Sequence, residues 1–296
     1  MIAPGRVLTA MVTPFDENGA VDYPQANKLA LALLDSGSDG LVVVGTTGES
    51  PTLLHEEEFR LFSEIKAAVG DRGAVIAGTG SNSTAEAIAA TRAAEKAGAD
   101  GCLLVVPYYN KPPQEGLYRH FKAIAGSTGL PCILYNVPSR TVANLSSETA
   151  IRLSQMDNII GIKEASGDME QIARIIEGAA DGFRVWSGND TDTLPMLTLG
   201  AYGVVSVASH LVGRQIAGIV SDFFEGNDER ATATHRRLLP LIEALFVVAN
   251  PIPVKYALNH LGFRVGVPRL PLTDPDDDTA AVIRQALAGQ QIDLPV

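Results

Sequence analysis

The chain has 296 residues, 46% hydrophobic and 19% charged, which is enough to bury a large core and unlike the composition of a disordered protein. The formal net charge of −11 argues against an extended phosphate-binding surface, which needs clustered lysine and arginine, so we expect no nucleic-acid partner. No basic segment followed by an apolar one opens the chain, and no run of about 18 uncharged apolar residues occurs. We therefore expect a cytoplasmic protein that does not enter membranes.

Eight short apolar runs recur along the chain and are predicted to be strands. They occupy residues 7–12, 41–44, 74–77, 102–106, 132–135, 159–162, 183–186 and 203–207. The runs are apolar throughout rather than alternating, which indicates strands covered on both faces, as in a parallel sheet with crossover helices. Segments with helical spacing lie between most of them, at 56–69, 84–97, 117–125, 148–155 and 169–179.

This alternation predicts an α/β fold, a (β/α)8 or TIM barrel over residues 1–225 that carries the active site. The later helical stretches at 230–248, 253–261 and 279–287 predict a C-terminal helical portion over 226–296 that packs on the barrel. A doubly wound sheet also alternates strand and helix, but its dinucleotide fingerprint is missing. The nearest match, GTGSNS at 78–83, lacks the third glycine, so we predict no nucleotide cofactor.

Polar side chains follow several of the predicted strands. Thr46 and Thr47 come after the second, Tyr135 ends the fifth and Lys163 follows the sixth. In a (β/α)8 enzyme the carboxyl ends of the strands meet at one face and form the active site, so we expect these side chains to share a pocket.

Lys163 has two interpretations, a nucleophile or the partner of Glu164 in an ion pair. Neighbouring strand residues point to opposite sides, which weakens the ion pair. An amine attacks a ketone only when neutral, and deprotonating an ordinary lysine at pH 7 costs roughly 4–5 kcal/mol. Burial in a barrel would reduce that cost.

A nucleophilic lysine needs a group that moves protons while the imine forms. Tyr135 can serve, although it could also be a packed strand tyrosine. Thr46 could connect its phenol to a second one, from Tyr108 or Tyr109, because each hydroxyl both donates and accepts. Glycines on both sides of the Thr46–Thr47 turn would let backbone N–H groups approach a carboxylate.

Over nearly its whole length the chain resembles the superfamily of dihydrodipicolinate synthases and N-acetylneuraminate lyases, and within it the synthases. The matching motifs are TAMVTPF at 9–15, GLVVVGTTGES at 40–50, VIAGTGSNST at 75–84, PYYNKPPQEGLY at 107–118, YNVPSRT at 135–141, GIKEASGD at 161–168 and NPIPVKYAL at 250–258. An arginine directly after Tyr-Asn-Val-Pro-Ser is associated in the synthases with binding the aldehyde substrate's carboxylate, and Arg140 matches it. A guanidinium suits that task because it holds a carboxylate through two parallel hydrogen bonds, although Arg140 could also anchor its own loop.

The resemblance implies a Schiff-base lyase of the diaminopimelate route to lysine, which condenses pyruvate with L-aspartate 4-semialdehyde to 4-hydroxy-tetrahydrodipicolinate. It assigns the imine to Lys163 and proton relay to Tyr135, Thr46 and Tyr109. It assigns binding of the pyruvate carboxylate to Thr47. It also implies a pyruvate site lined by Gly188 and Val205, and no metal or organic cofactor.

The resemblance also implies an assembly and an effector site. In the family the residue matching Tyr109 reaches a neighbouring subunit's active site, so we expect a homotetramer built as a dimer of dimers. The family's lysine-inhibitor pocket is matched at Ser50, His55, Asn82, Glu86 and Tyr108. Glu58 stands where the lysine-sensitive pattern has histidine, so feedback inhibition is a hypothesis.

Two other functions stay open at this point. The first is a sister lyase acting on N-acetylneuraminate or a 2-keto-3-deoxy sugar acid, which shares the lysine and tyrosine but should not need Arg140. The second is a non-catalytic barrel that binds pyruvate or lysine as a sensor. The set of Lys163, Tyr135 and Thr46 argues against the sensor, since binding alone requires neither a nucleophile nor a proton relay.

Overall fold

The computed structural model describes residues 3–295, whose eight strands form a closed parallel barrel in chain order, with β8 paired to β1. The strands are β1 Val7–Ala10, β2 Gly40–Val43, β3 Ala74–Gly78, β4 Gly101–Val105, β5 Cys132–Asn136, β6 Ile159–Glu164, β7 Arg184–Ser187 and β8 Gly203–Ser206. Each predicted apolar run overlaps one of them, and nearly every strand residue is buried. The predicted (β/α)8 fold is confirmed.

Helices surround the barrel and cover the outer faces of the strands. They are α1 Tyr23–Asp35, α2 His55–Val69, α3 Thr84–Lys96, α4 Gln114–Ala125, α5 Pro138–Thr141, α6 Ser147–Leu153, α7 Met169–Gly178, α8 Thr193–Thr198, α9 Ser209–Phe224, α10 Asp228–Ala244, α11 Ile252–His260 and α12 Asp277–Ala288. Hydroxyl and carboxylate caps fix several helix starts: the Ser83 side chain accepts from the Glu86 N–H, and Asp22 accepts from the Gln25 N–H.

The strand ends differ from the predicted ones by one or two residues, and two of these differences affect the site. Strand β2 stops at Val43 because Val44 has a φ of 60°, in the left-handed region, which turns the chain into the Thr46–Thr47 loop. Strand β6 continues two residues past the apolar run, because Lys163 and Glu164 keep their register with both β5 and β7. Lys163 therefore lies within a strand rather than after it.

The C-terminal helices pack on one another and against the barrel. Helix α10 packs against α9 and α12, and α11 against α9 and α12. Helix α10 ends at Ala244, four residues before the predicted end, and the chain then turns toward Asn250. The predicted boundary between residues 225 and 226 falls in the turn between α9 and α10, and the division into two domains stays a prediction.

A buried ion pair connects the C-terminal helices to the loop after β2. The Lys255 ammonium on α11 lies 2.8 Å from the Glu49 carboxylate, and both side chains have no exposed surface. The ammonium also donates to the carbonyls of Thr13 and Val267, and the Arg269 backbone N–H donates to the other Glu49 oxygen. The pair is thus hydrogen-bonded on both sides, as a buried pair must be to offset its desolvation.

Substituting Lys255→Met is expected to lower the free energy of unfolding by about 3–5 kcal/mol, because it leaves the Glu49 carboxylate buried without its cation. Urea denaturation followed by circular dichroism measures the change. Arg119→Met is the matched control, since it breaks an exposed ion pair with Glu115 and should change little. A loss no larger than that of the control would contradict the argument.

Candidate active site

The side chains of Lys163 and Tyr135 face each other inside the barrel, near the carboxyl ends of β6 and β5. The two residues are direct partners in the strand register, and each is 6% exposed. The Lys163 Nζ lies 4.3 Å from the centre of the Tyr135 ring. The predicted pocket therefore brings the amine and the phenol together.

Glu164 points away from Lys163, to the outer side of the barrel. Its carboxylate accepts hydrogen bonds from the Asn136 amide at 3.1 Å and from the Ser166 backbone N–H at 2.8 Å. The Gln171 amide donates to it as well. Glu164 is thus paired with neutral donors and, among residues 3–295, forms no ion pair with Lys163, so the ion-pair interpretation of Lys163 is wrong. Strand alternation is the reason, since adjacent side chains leave opposite faces.

The surroundings of Lys163 favour a neutral amine. Burial lowers the pKa of Lys163 to about 8; the Asp190 carboxylate opposes this effect and Arg140 adds to it. With a pKa of about 8, roughly one Lys163 amine in ten is neutral at pH 7, against fewer than about one in a thousand for an ordinary lysine. The barrel interior thus provides much of the activation that a nucleophilic lysine needs.

The phenol of Tyr135 stays protonated at neutral pH and is connected to Thr46. Burial raises the pKa of Tyr135 to about 12, while Arg140 and a hydrogen bond with the Thr46 side chain oppose the rise. Thr46 is half-buried and follows the left-handed turn at Val44. A protonated phenol that lies beside both a hydroxyl and the amine can donate a proton during imine formation.

Tyr109 does not join this group within one chain. Its side chain is 88% exposed, its φ is 73°, and it makes no hydrogen bond to the other residues of 3–295. The segment itself is held in place, because the Asn82 amide donates to the Tyr108 carbonyl and the Asn110 amide donates back to the Asn82 carbonyl. The Tyr109 phenol therefore projects from an ordered turn, away from its own chain.

Gly188 directly follows β7, and Val205 lies on β8; these are the two strands that come after β6 in the barrel. A Cβ at Gly188 would lie 3.1 Å from the Lys163 Cε and 2.7 Å from the Ala165 Cβ, so glycine leaves the space that the lysine stem occupies. Val205 lies on β8 and is buried. Of the two predicted lining residues, Gly188 is thus placed directly beside the amine.

The sequence reasoning missed Asp190, a buried carboxylate near Lys163. It accepts hydrogen bonds from the Ser206 hydroxyl and from the backbone N–H groups of Val207 and Ala208, at 2.9 and 3.0 Å. These donors hold it at the end of β8; burial raises the pKa of Asp190, and its carboxylate opposes the lowering of the Lys163 pKa. It lies in a short 3-10 turn after β7, Asp190–Asp192, where no apolar run or motif marks it.

Arg140 and Thr47 are linked through a second residue that was missed, Asn250. The Asn250 side-chain amide donates to the Thr47 Oγ1 at 2.8 Å, and the Asn250 backbone carbonyl accepts from the Arg140 Nη2 at 3.3 Å. Arg140 lies on α5, directly after β5, and its guanidinium reaches across the rim rather than to its own loop. The motif at 250–258 was the available signal, because it begins with this asparagine.

A separate cavity of about 190 Å³ lies beside the start of α2, and several predicted effector residues line it. Ser50, His55, Glu86 and Tyr108 face it, as does Glu58. Asn82 does not line it but holds the Tyr108 backbone. Glu58 contacts the His55 ring at 3.1 Å, and burial raises the pKa of the Glu58 carboxyl.

Two further observations concern the part of the chain that the structure describes. No helix within residues 3–295 is long and apolar enough to cross a membrane. Over the same residues, no group of three or more His, Cys, Asp and Glu side chains is arranged to hold a metal ion.

Known proteins resemble the chain over almost its full length. The model of the dihydrodipicolinate synthetase family matches residues 3–290. A 4-hydroxy-tetrahydrodipicolinate synthase of Dehalococcoides mccartyi is 66% identical over 99% of this chain and 98% of its own length. The one from Symbiobacterium thermophilum is 57% identical over 96% and 97%. A crystal structure of DHDPS from Cyanidioschyzon merolae with lysine bound has a TM-score of 0.95 and 52% identity, over 96% of this chain and 97% of that one. The chain belongs to the dihydrodipicolinate synthetase family.

Proposed function

We propose that this protein is a Schiff-base lyase that condenses pyruvate with L-aspartate 4-semialdehyde, giving 4-hydroxy-tetrahydrodipicolinate in the diaminopimelate route to lysine. The observation that carries the proposal is the buried Lys163 amine, with its lowered pKa, against the Tyr135 phenol at the carboxyl end of the barrel. Relatives at 66% and 57% identity that carry this synthase name support it.

The first half of the reaction builds the imine. The neutral Lys163 amine attacks the ketone carbon of pyruvate, and the oxygen takes up a proton to give a carbinolamine. Loss of the hydroxyl as water, with a proton from Tyr135, leaves a protonated imine. Thr47 binds the pyruvate carboxylate, and Gly188 leaves room for the lysine stem on which the imine forms.

The second half forms the new carbon–carbon bond. The cationic imine withdraws electrons, so its methyl group loses a proton to the Tyr135 phenolate left by the dehydration, and the imine becomes an enamine. The enamine attacks the aldehyde carbon of the second substrate, whose carboxylate is bound by Arg140, and the aldehyde oxygen takes the proton back from Tyr135 to become the hydroxyl of the product. The amine of that substrate then attacks the imine carbon, closes the ring and expels the Lys163 amine. Thr46 and Tyr109 complete the proton path to solvent through Tyr135.

Trapping with borohydride tests the proposal. The protein is reduced in the presence of pyruvate, and the modified peptide is mapped by mass spectrometry; untreated protein is assayed for condensation with L-aspartate 4-semialdehyde. An adduct on Lys163 together with condensation supports the synthase. An adduct without condensation favours a sister lyase, and no adduct would overturn the Schiff-base mechanism in favour of a binding protein.

The proposal includes a homotetramer, built as a dimer of dimers, in the cytoplasm. The exposed Tyr109 phenol on an ordered turn supports it, because an aromatic side chain held outward by backbone contacts is suited to enter another subunit. Sedimentation of the wild-type protein measures the assembly. A stable monomer with full activity would contradict the role of Tyr109 across subunits.

We also propose that free L-lysine binds the cavity near α2 and inhibits the enzyme. The cavity presents the Glu58 and Glu86 carboxylates to an ammonium group and the Ser50 and Tyr108 hydroxyls to a carboxylate. A related DHDPS has been solved with lysine bound. We expect millimolar lysine to lower the condensation rate and Glu86→Gln to weaken that effect, whereas unchanged wild-type activity would reject the proposal.

A further inference from the structure

The hydroxyl of Thr47 is bound by a residue that comes much later in the chain. Asn250 donates from its Nδ2 to the Thr47 Oγ1 at 2.8 Å, and both residues are buried, at 6% and 3% exposure. No other hydrogen bond of the Thr47 side chain is formed among residues 3–295. The direction of the Thr47 hydroxyl therefore depends on Asn250.

A threonine hydroxyl has one proton to donate and two lone pairs with which to accept. When it accepts from an amide N–H, its own proton is left for another group. A carboxylate only accepts, so it needs that proton. We propose that Asn250 is a positioning residue that holds Thr47 as an acceptor and thereby leaves its hydroxyl proton for the carboxylate of the 2-oxo acid substrate. This inference rests on the proposed function, in which that substrate is pyruvate.

The surroundings of the amide favour this orientation. The Asn250 Oδ1 is buried and has no partner among the described residues. Turning the amide over would place the Oδ1 against Thr47. The NH2 group, with its two donors, would then take the position where no hydrogen-bond partner is available. Buried N–H groups without partners are rarer in proteins than under-satisfied carbonyls, so the orientation that uses one N–H of the amide is favoured.

The loop that carries Thr47 does not depend on Asn250 for its position. The Thr13 hydroxyl donates to the Gly48 carbonyl at 2.6 Å, and the Lys255 ammonium holds Glu49 at 2.8 Å. A change at the Asn250 side chain should therefore alter the hydroxyl rather than unfold the loop. Arg140 contacts the backbone carbonyl of Asn250, which any substitution retains.

These contacts predict separate effects on the two substrates. Asn250→Asp has nearly the same shape but only accepts, so Thr47 must donate its proton to the new carboxylate and cannot donate it to pyruvate. We expect the KM for pyruvate to rise by about tenfold or more, with kcat at saturating pyruvate and the KM for L-aspartate 4-semialdehyde nearly unchanged. Asn250→Ala should raise the pyruvate KM less, because the hydroxyl is then free to turn. A wild-type pyruvate KM in Asn250→Asp, or an equal rise in both KM values, would overturn the inference.

The added negative charge of Asn250→Asp needs its own control, which is the same change in a Thr47→Val background. If the introduced carboxylate acts through the hydroxyl, it should add less than about a twofold change once the hydroxyl is absent. If the carboxylate instead acts by repelling pyruvate, it should raise the pyruvate KM by the same factor in the Thr47→Val background, and the inference fails. Thermal unfolding checks that each variant is folded. If Asn250→Asp does not fold, the pyruvate KM of Asn250→Ala still tests the inference. A wild-type protein that forms no pyruvate adduct would contradict the proposed function rather than the role of Asn250.

Discussion

Replacing Lys163 with methionine is expected to abolish the pyruvate adduct and to lower the rate of condensation by at least about a thousandfold. Methionine has a similar length and fills the same space, but it carries no amine to form the imine. Lys163 is 6% exposed, and methionine fills the buried space that its side chain occupies. Among the described residues the change breaks no ion pair, so the barrel should keep its fold. Borohydride trapping and the condensation assay measure the two losses, and circular dichroism verifies the fold.

The pH dependence of imine formation gives a second measurement on Lys163. Only the neutral amine reacts, so the rate of adduct formation should rise with pH until the pKa of about 8 is passed and then level off. For an ordinary lysine the rise would continue to about pH 10. A profile of that ordinary kind, or an adduct that persists in Lys163→Met, would contradict the assignment of Lys163 as the activated nucleophile.

The sequence could predict the barrel because its strands are buried on both faces and therefore read as short, unbroken apolar runs. The same geometry weakened the ion-pair interpretation of Lys163 without deciding against it, since alternation sends Glu164 to the outer side. It could not give the exact strand ends. The left-handed φ of Val44 has no signal in its apolar run, and the Asn136 amide that donates to Glu164 comes from the neighbouring strand β5, 28 residues earlier in the chain.

Asn250 and Asp190 show what sequence reasoning could not find. Asn250 reaches Thr47 only because a turn after α10 brings it back to the carboxyl face of the barrel. Asp190 is held by backbone N–H groups at the end of another strand, which leave no mark in the sequence. Tyr109 is a different case: its motif is visible, but its predicted contact belongs to a second chain.

Arg140→Ala is expected to lower kcat/KM for L-aspartate 4-semialdehyde by about a hundredfold, while pyruvate adduct formation changes little. The guanidinium provides a charge-assisted, two-pronged contact to the substrate carboxylate, and losing it costs about 2–3 kcal/mol. Its removal should also raise the pKa of Lys163 somewhat, because Arg140 contributes to lowering it. The pH profile of adduct formation should therefore move upward, a shift that a purely structural role in the rim would not produce. Steady-state kinetics with each substrate and trapping at several pH values measure both effects.

Arg140→Lys is the matched control, since it keeps the positive charge but loses the planar fork. If the carboxylate is held through two hydrogen bonds, this variant should fall between wild type and Arg140→Ala for the aldehyde, and the pH profile of the adduct should stay in place. Small and equal effects of Arg140→Ala on both substrates would instead indicate that Arg140 supports the rim through the Asn250 carbonyl alone. The second substrate would then have to be recognised elsewhere, which is the behaviour expected of a sister lyase.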